Sequence, residues 1–374
     1  MITPRIEIDL DKIRYNTRYL VERLNLRDIT VTGVTKAVCG HPAVAKAMLD
    51  GGAINLADSR VQNILRMRKA GIACSMAMIR SPMLSQLDAI VQNSDTSFNT
   101  EISTVTGLAA AARKSNELHN IVLMVEMGDM REGIMPKDLK SFALRVIKIP
   151  GLTLTGIGTN FACLGGIPPD IDIMNKFSSL VREVETACGL AFTTVSGGNS
   201  ASLTWALGNR ENGCVNNLRL GEAILLGVDP VCGTQISGLH TDAFTLVAEV
   251  IETKIKTDVV QLKFINTNLK DPSSLVHGTG SVARSILAIG LQDTDIGGLK
   301  LPEGVTSFGA TSDHMIVCKS HAHLQVGQEV KFQMNYSAVM QAMSAPDIVK
   351  TILGAPSLKT LVPTNSNRPR LALL

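Results

Sequence analysis

VTGVTKAVCGHP, residues 31–42, decides how the rest of the chain is read. A run rich in β-branched residues ends in Lys36 and breaks at Gly40 and Pro42. The pattern predicts a strand whose C-terminal end carries one amine, then a loop, then a helix start. Such a lysine has three readings. It is a strand-end side chain reaching solvent, a partner for a buried carboxylate or phosphate, or a nucleophile whose pKa is lowered by burial.

Outward from this stretch the pattern repeats, from Thr30 to about Gly227. Strands are expected over residues 31–37, 54–57, 75–79, 96–99, 121–126, 152–159, 192–196 and 217–220. Helices are expected over 43–49, 60–69, 84–91, 102–115, 137–147, 171–187 and 202–207. Strands alternating with helices imply a parallel α/β sheet, and eight such units imply a (β/α)8, TIM-type barrel. A doubly wound open sheet is the alternative, but no GxGxxG follows any strand. Before the repeat, RIEIDL (residues 5–10) alternates as a half-buried strand does, and Asp11 stands where a helix cap belongs.

Past about Ile236 the texture changes. Helical periodicity nearly disappears, and strands are expected over 244–250, 259–265, 285–289, 314–317 and 329–334, separated by turns rich in Gly, Pro, Asp and Ser. We therefore expect a barrel over residues 1–235 and a mostly-β domain over 236–374, with residues 365–370 (NSNRPR) as a polar tail onto which 371–374 follow.

Composition limits the function. The chain has 374 residues, 45% hydrophobic and 18% charged, as in an enzyme-sized globular protein. A net charge of +3 does not argue for nucleic acid or an anionic membrane, and 3% aromatics offer no stacking platform for bases. No signal-peptide pattern or bilayer-length apolar run is seen. Seven irregularly spaced cysteines without a CxxC pair read as reduced thiols, hence a cytoplasmic protein.

In such a barrel, chemistry sits at the C-terminal ends of the strands. Those ends carry Lys36, EMGDMREG (126–133, with Arg131), GTNFA (158–162), SGGNS (196–200) and LRLGEA (218–223, with Arg219 and Gly221). The SGGNS turn offers backbone N–H groups and hydroxyls just before a helix, which makes an anion cradle where barrels often hold phosphate. One lysine with a phosphate cradle and arginines fits a phosphorylated sugar substrate or pyridoxal phosphate.

The same segments, in the same order over nearly the whole length, resemble the alanine racemase family of fold-type III pyridoxal-phosphate enzymes and its ornithine racemase-like branch. VTKAVCGH resembles the lysine motif, which implies that Lys36 joins the cofactor as an imine. GDMREG resembles the segment whose arginine, here Arg131, meets the cofactor's phenolic oxygen and the substrate. TNFA resembles THFA and places Asn160 against the pyridine ring. GGNSAS resembles the phosphate loop, with Asn199 and Ser200. RLGEAILLG resembles RPGIALYG, so Arg219 would face the pyridine nitrogen and Gly221 would join the cofactor site. GATSDHMIV resembles the segment that enters the partner subunit's site, with Ser312 and Asp313 toward the substrate, and Tyr336 is the tyrosine expected at the phosphate. The resemblance thus implies a homodimer with shared active sites, and a racemase in which Lys36 moves the Cα proton on one face.

Two departures matter. The family's second base is a tyrosine, and the matching segment IGLQD (289–293) has Leu291 instead. Asp293, Asp313 and His314 are the positional candidates for that role. The family's frequently carbamylated lysine is replaced by Met124. A mouth without bulky tyrosines leaves room for a long side chain, and Asp293 or Asp313 would meet its amine. Ornithine or another basic amino acid is therefore expected over alanine. A cofactor-homeostasis protein, a metal-assisted D-amino-acid aldolase and a cofactor-free sugar-phosphate barrel are the other readings. His321 and His323 have strand spacing but lack a carboxylate or thiolate set, so no metal is expected.

Overall fold

The computed structural model describes residues 3–256, 282–319 and 323–354. The expected strand at 259–265, the tail beyond 354 and His321 lie outside the described residues. Two compact units are present: residues 3–12, 37–39 and the described part of 241–354 form one, and residues 13–36 and 40–240 form the other.

A short strand, β1 (Arg5–Asp9), leads into α1 (Leu10–Asn25). The barrel follows as β2 (Thr30–Val34), α2 (Pro42–Asp50), β3 (Asn55–Asp58), α3 (Val61–Lys69), β4 (Met76–Met78), α4 (Leu87–Asn93), β5 (Thr96–Asn99) and α5 (Ile102–Lys114). It continues with β6 (His119–Met124), α6 (Pro136–Val146), β7 (Leu152–Gly158), α7 (Ile171–Cys188), β8 (Thr194–Ser196), α8 (Leu203–Ala206), β9 (Asn217–Leu220) and α9 (Glu222–Leu226). Strands β2 to β9 close a parallel barrel, with β2 pairing β9 through Thr32↔Arg219 and Gly33↔Leu220. All eight expected strands are there. The first is shorter than expected, because Lys36–Val38 turns into a 3-10 helix. The expected helix at 84–91 starts as a 3-10 turn over Leu84–Gln86.

Local chemistry explains the helix ends. Asp170 caps α7 by accepting from Ile173 N at 2.8 Å, and Gly189 ends it in the left-handed region, where a side chain would be strained. Val34, Ala57, Ala77, Phe98, Val122 and Met124 pack as one buried cluster inside the barrel. Met124, at the position of the family's lysine, is 2% exposed and apolar in role.

The second unit is a sheet whose later strands are β10 (Phe244–Lys256), β11 (Val282–Leu287), β12 (Leu299–Lys300), β13 (Val305–Ala310), β14 (Met315–Lys319), β15 (Glu329–Met334) and β16 (Val349–Leu353). The order is β12-β15-β10-β11-β14-β13, with β1 pairing β10 and β16 pairing β1. One helix, α10 (Tyr336–Ser344), interrupts it; Asn335 caps it by accepting from Ala338 N. Sequence periodicity did not signal α10, β12, β13 or β16.

The expected boundary at residue 235 needs one correction. β1 is not part of the barrel unit: it pairs antiparallel with β10 (Ile6↔Leu246) and parallel with β16 (Ile8↔Ile352). Alternation predicts that a segment is a strand but says nothing about its partner, and this partner lies more than two hundred residues away. The pairing buries Ile6, Ile8, Phe244 and Leu246, at about 1.5–3 kcal/mol for each side chain removed from water.

Candidate active site at the barrel mouth

Lys36 lies two residues past the end of β2 and is exposed. The residue before it is locked. Thr35 N donates to Ala57 O at 3.0 Å, Thr35 O accepts from Gly40 N at 3.1 Å, and Thr35 Oγ1 donates to Asp58 Oδ2 at 2.7 Å. Lys36 therefore stands at the C-terminal end of the barrel on a fixed base.

Arg219, on the neighbouring strand β9, is 4% exposed and lies with its guanidinium carbon 5.0 Å from the centre of the Phe98 ring. It donates to Ser196 Oγ, to Thr159 O at 2.8 Å and to Asn160 Oδ1 at 2.6 Å. Burial pushes its pKa down to about 10, so it still carries its proton at neutral pH. Asn160 Nδ2 in turn donates to Glu132 Oε1 at 2.9 Å, and Glu132 Oε2 pairs with Arg131 Nε at 2.8 Å. On the other side Ser196 Oγ donates to Asn217 Oδ1 at 2.8 Å, and Asn217 Nδ2 donates to Thr32 Oγ1 at 2.9 Å. One polar run thus crosses the barrel from the loop after β6 to β2. Three expected site residues, Arg131, Asn160 and Arg219, are joined by it. Glu132, Thr159 and Ser196, which complete it, were not singled out from the sequence.

The loop that carries Arg131 is built by carboxylates. Glu126 Oε1 accepts from Gly128 N at 2.6 Å and Met130 N at 3.1 Å. Buried Asp129 accepts from Cys163 N at 2.7 Å and also faces Arg131 Nε at 3.2 Å, which ties this loop to the one after β7.

The expected anion cradle lies at the ends of β8 and β9. Gly198 has φ +115, and a Cβ there would stand 2.4 Å from Ser202 Oγ, so only glycine fits. Asn199 caps the following 3-10 turn by accepting from Ala201 N at 2.9 Å, and its Nδ2 donates to Phe161 O at 2.8 Å. Asn199 is thus spent on holding the turn. Ser200 Oγ accepts from Ala223 N at 3.2 Å, joining the SGGNS turn to α9, which begins just after Gly221. Glu222 opens that helix. Burial pushes its pKa up to about 6, with the charge of Lys36 opposing the shift.

The remaining expected residues belong to the β unit. The turns at 290–293 and 311–314 pair with each other: Leu291 N donates to Thr311 O and Gln292 N to Ser312 O, both at 2.9 Å. Asp293 is 8% exposed and its Oδ2 accepts from Gly290 N at 2.8 Å, so this carboxylate is turned inward and holds its own turn. This argues against the expected role of Asp293 as a base or an amine partner. Asp313 and His314 form an exposed pair, with Asp313 Oδ1 2.9 Å from His314 Nδ1. Ser312 Oγ also donates to Asp313 at 3.1 Å and, with the other donors, holds its carboxyl below the usual carboxylate range. Leu291 is 59% exposed beside them. Tyr336 opens α10 in this unit and is half-buried. Among the described residues, no group of three or more His, Cys, Asp or Glu side chains is placed to hold a metal ion, and no helix is long and apolar enough to cross a membrane.

Comparison with known proteins shows the family and the fold. The family model described as the alanine racemase N-terminal domain matches residues 8–230. An ornithine racemase of Acetoanaerobium sticklandii is 31% identical over 94% of this chain and 99% of that protein. A lysine racemase of Thermotoga maritima is 34% identical over 94% of this chain and 98% of that protein. Among solved structures, an alanine racemase of Clostridium difficile superposes with a TM-score of 0.75 at 19% identity, covering 96% of this chain and 97% of that one.

Proposed function

The chain belongs to the alanine racemase family, and we propose that it is a pyridoxal-phosphate-dependent racemase of ornithine or another basic amino acid, working as a homodimer in the cytoplasm. The observation that carries the chemistry is the buried, protonated Arg219 on the strand beside Lys36, at the same barrel end as a glycine-lined cradle.

The donor set fits such a cofactor. The cradle around Gly198 has no space for a side chain, Ser200 supplies a hydroxyl, and the start of α9 lies beside it. Ser200, Gly221 and the backbone of this turn would hold the phosphate, and Arg131 would face the phenolic side. Bound there, pyridoxal phosphate acidifies Cα–H by drawing off the electron pair left behind.

Racemisation needs one group to take the Cα proton and another to return one on the opposite face. Lys36 Nζ serves the first face. For the second, the observations favour His314 of the partner subunit over Asp293. Its Nδ1 lies 2.9 Å from the Asp313 carboxylate, which orients the ring and leaves Nε2 on the other edge. Arg219 keeps its own proton, so it would donate to the ring nitrogen of a bound cofactor without protonating it. That would limit how far charge leaves Cα and so disfavour transamination.

The basic side chain is supported by the likeness to ornithine and lysine racemases over nearly the full length. It is also supported by Leu291, which stands in place of a bulkier tyrosine. The test is chiral chromatography of the full-length protein with pyridoxal phosphate and, separately, L-ornithine, L-lysine, L-arginine, L-alanine and L-serine. The D-isomer of one basic amino acid is expected, with alanine slower by about 10-fold or more. Turnover of alanine alone would contradict the substrate assignment.

A further inference from the structure

Asp58 ends β3 with 0% exposure, and nothing in the proton transfers above uses it. Its Oδ2 accepts from Thr35 Oγ1 at 2.7 Å, and its Oδ1 accepts from Asn63 Nδ2 at 2.9 Å and from Arg60 N at 3.0 Å. Thr35 is 0% and Asn63 5% exposed. Burial pushes the carboxyl upward in pKa, against these donors. The turn that follows Lys36 packs against Asn63, which Asp58 holds. Cys39 (φ +53) and Gly40 (φ +63) are both left-handed, and a Cβ on Gly40 would stand 2.7 Å from Asn63 O. A non-glycine residue held in that region is strained and persists only when its surroundings fix it.

We infer that Asp58 is a positioning residue for Lys36: its buried carboxylate grips Thr35 on one side of the lysine and, through Asn63, the Gly40 turn on the other. The inference rests on Lys36 being the reacting amine. Asp58 touches neither substrate nor cofactor in this account and acts through the backbone of residues 35–40. Asn at 58 keeps the shape but not the charge: with its oxygen on Arg60 N and Asn63 Nδ2, its NH2 faces Thr35 Oγ1, which must turn from donor to acceptor, so the charge-assisted bond that grips Thr35 is lost.

The test uses the full-length protein stripped of cofactor, with pyridoxal phosphate added back. The readings are the rate of imine formation from the rise in visible absorbance, the labelled peptide after borohydride trapping, the kcat and KM of the reloaded enzyme, and Tm. Asp58→Asn is expected to slow imine formation about 10-fold or more and to lower kcat more than it changes KM, because small misplacements of a reacting group carry large rate costs. Thr35→Ser, which keeps the hydroxyl, is expected to behave as wild type. Asp95→Asn is the control, because Asp95 accepts from Met76 N and Arg68 Nη2, both at 2.8 Å, at the opposite end of the barrel. If Asp58→Asn does not fold, Thr35→Val removes only the hydroxyl and is read in the same way. An Asp58→Asn rate equal to wild type, or reduced no further than in Asp95→Asn at matched loss of Tm, would overturn the inference. A wild-type protein trapped at a residue other than Lys36 would instead overturn the reading of Lys36.

Discussion

Burial acts on Arg219 and Glu222 in opposite directions, although they are three residues apart. It lowers the arginine's pKa and raises that of the glutamate, because in each case the neutral form is favoured. Glu222 moves from 4.5 to about 6, so its contribution to stability is fully present below 4.5 and is lost as pH rises through about 6. Glu222→Gln removes that loss. The Tm difference between variant and wild type is expected to grow in the variant's favour between pH 4.5 and about 6, and then level off. A difference independent of pH would contradict the assignment. At this scale residue type and order pointed to the C-terminal end of the barrel, where Arg131, Asn160 and Arg219 are joined through Glu132. Side chains that merely hold those groups were not legible. Thr35 and Asp58 lie 23 positions apart, and no spacing rule joins them. Asp293 looked available because its type suits a base; only the fold shows it facing its own turn.

Strand β1 is held to its sheet by charge as well as by apolar packing. Arg5, 3% exposed, reaches Glu7 Oε1 at 2.7 Å and Glu329 Oε1 at 2.6 Å, and Lys331 reaches Glu7 Oε2 at 3.0 Å. Burial alone would raise the pKa of Glu7, but the hydrogen bonds and charges of Arg5 and Lys331 outweigh it and hold that carboxyl down. Arg5→Ala would leave Glu7 buried with only Lys331. A loss of about 3–5 kcal/mol in denaturant unfolding is expected, as when one partner of a buried pair is removed. A loss under about 1 kcal/mol would show the pair to be idle. Among elements, the barrel strands were legible because a parallel strand covered on both faces is a short apolar run. β13 is half-buried along nearly all its length and shows no clear alternation, and β12 has two residues. The nine-residue helix α10 sits among strands, where a short amphipathic stretch is easily taken for alternation.

Across the whole molecule, the sequence implied a barrel followed by a β domain, and both are present, with the chain's first strand reassigned to the second unit. That reassignment has a physical cause: a sheet is completed by whichever strand supplies matching backbone bonds, regardless of its place in the chain. The barrel unit carries Lys36, Arg219 and the cradle, and the β unit carries the Asp313–His314 pair. In the homodimer proposed above, Lys36 of the barrel unit and His314 of a partner's β unit would serve opposite faces of Cα. The most direct test is to incubate L-ornithine and, separately, D-ornithine in deuterated water with the loaded wild-type, Lys36→Ala and His314→Ala proteins, and to follow chirality and deuterium at Cα together. Expected are a DL mixture deuterated at Cα for wild type, no exchange for Lys36→Ala, and, for His314→Ala, loss of inversion with exchange kept only in the enantiomer whose Cα proton faces Lys36. A wild-type protein that binds pyridoxal phosphate yet exchanges no Cα proton of ornithine, lysine or arginine would contradict this proposal.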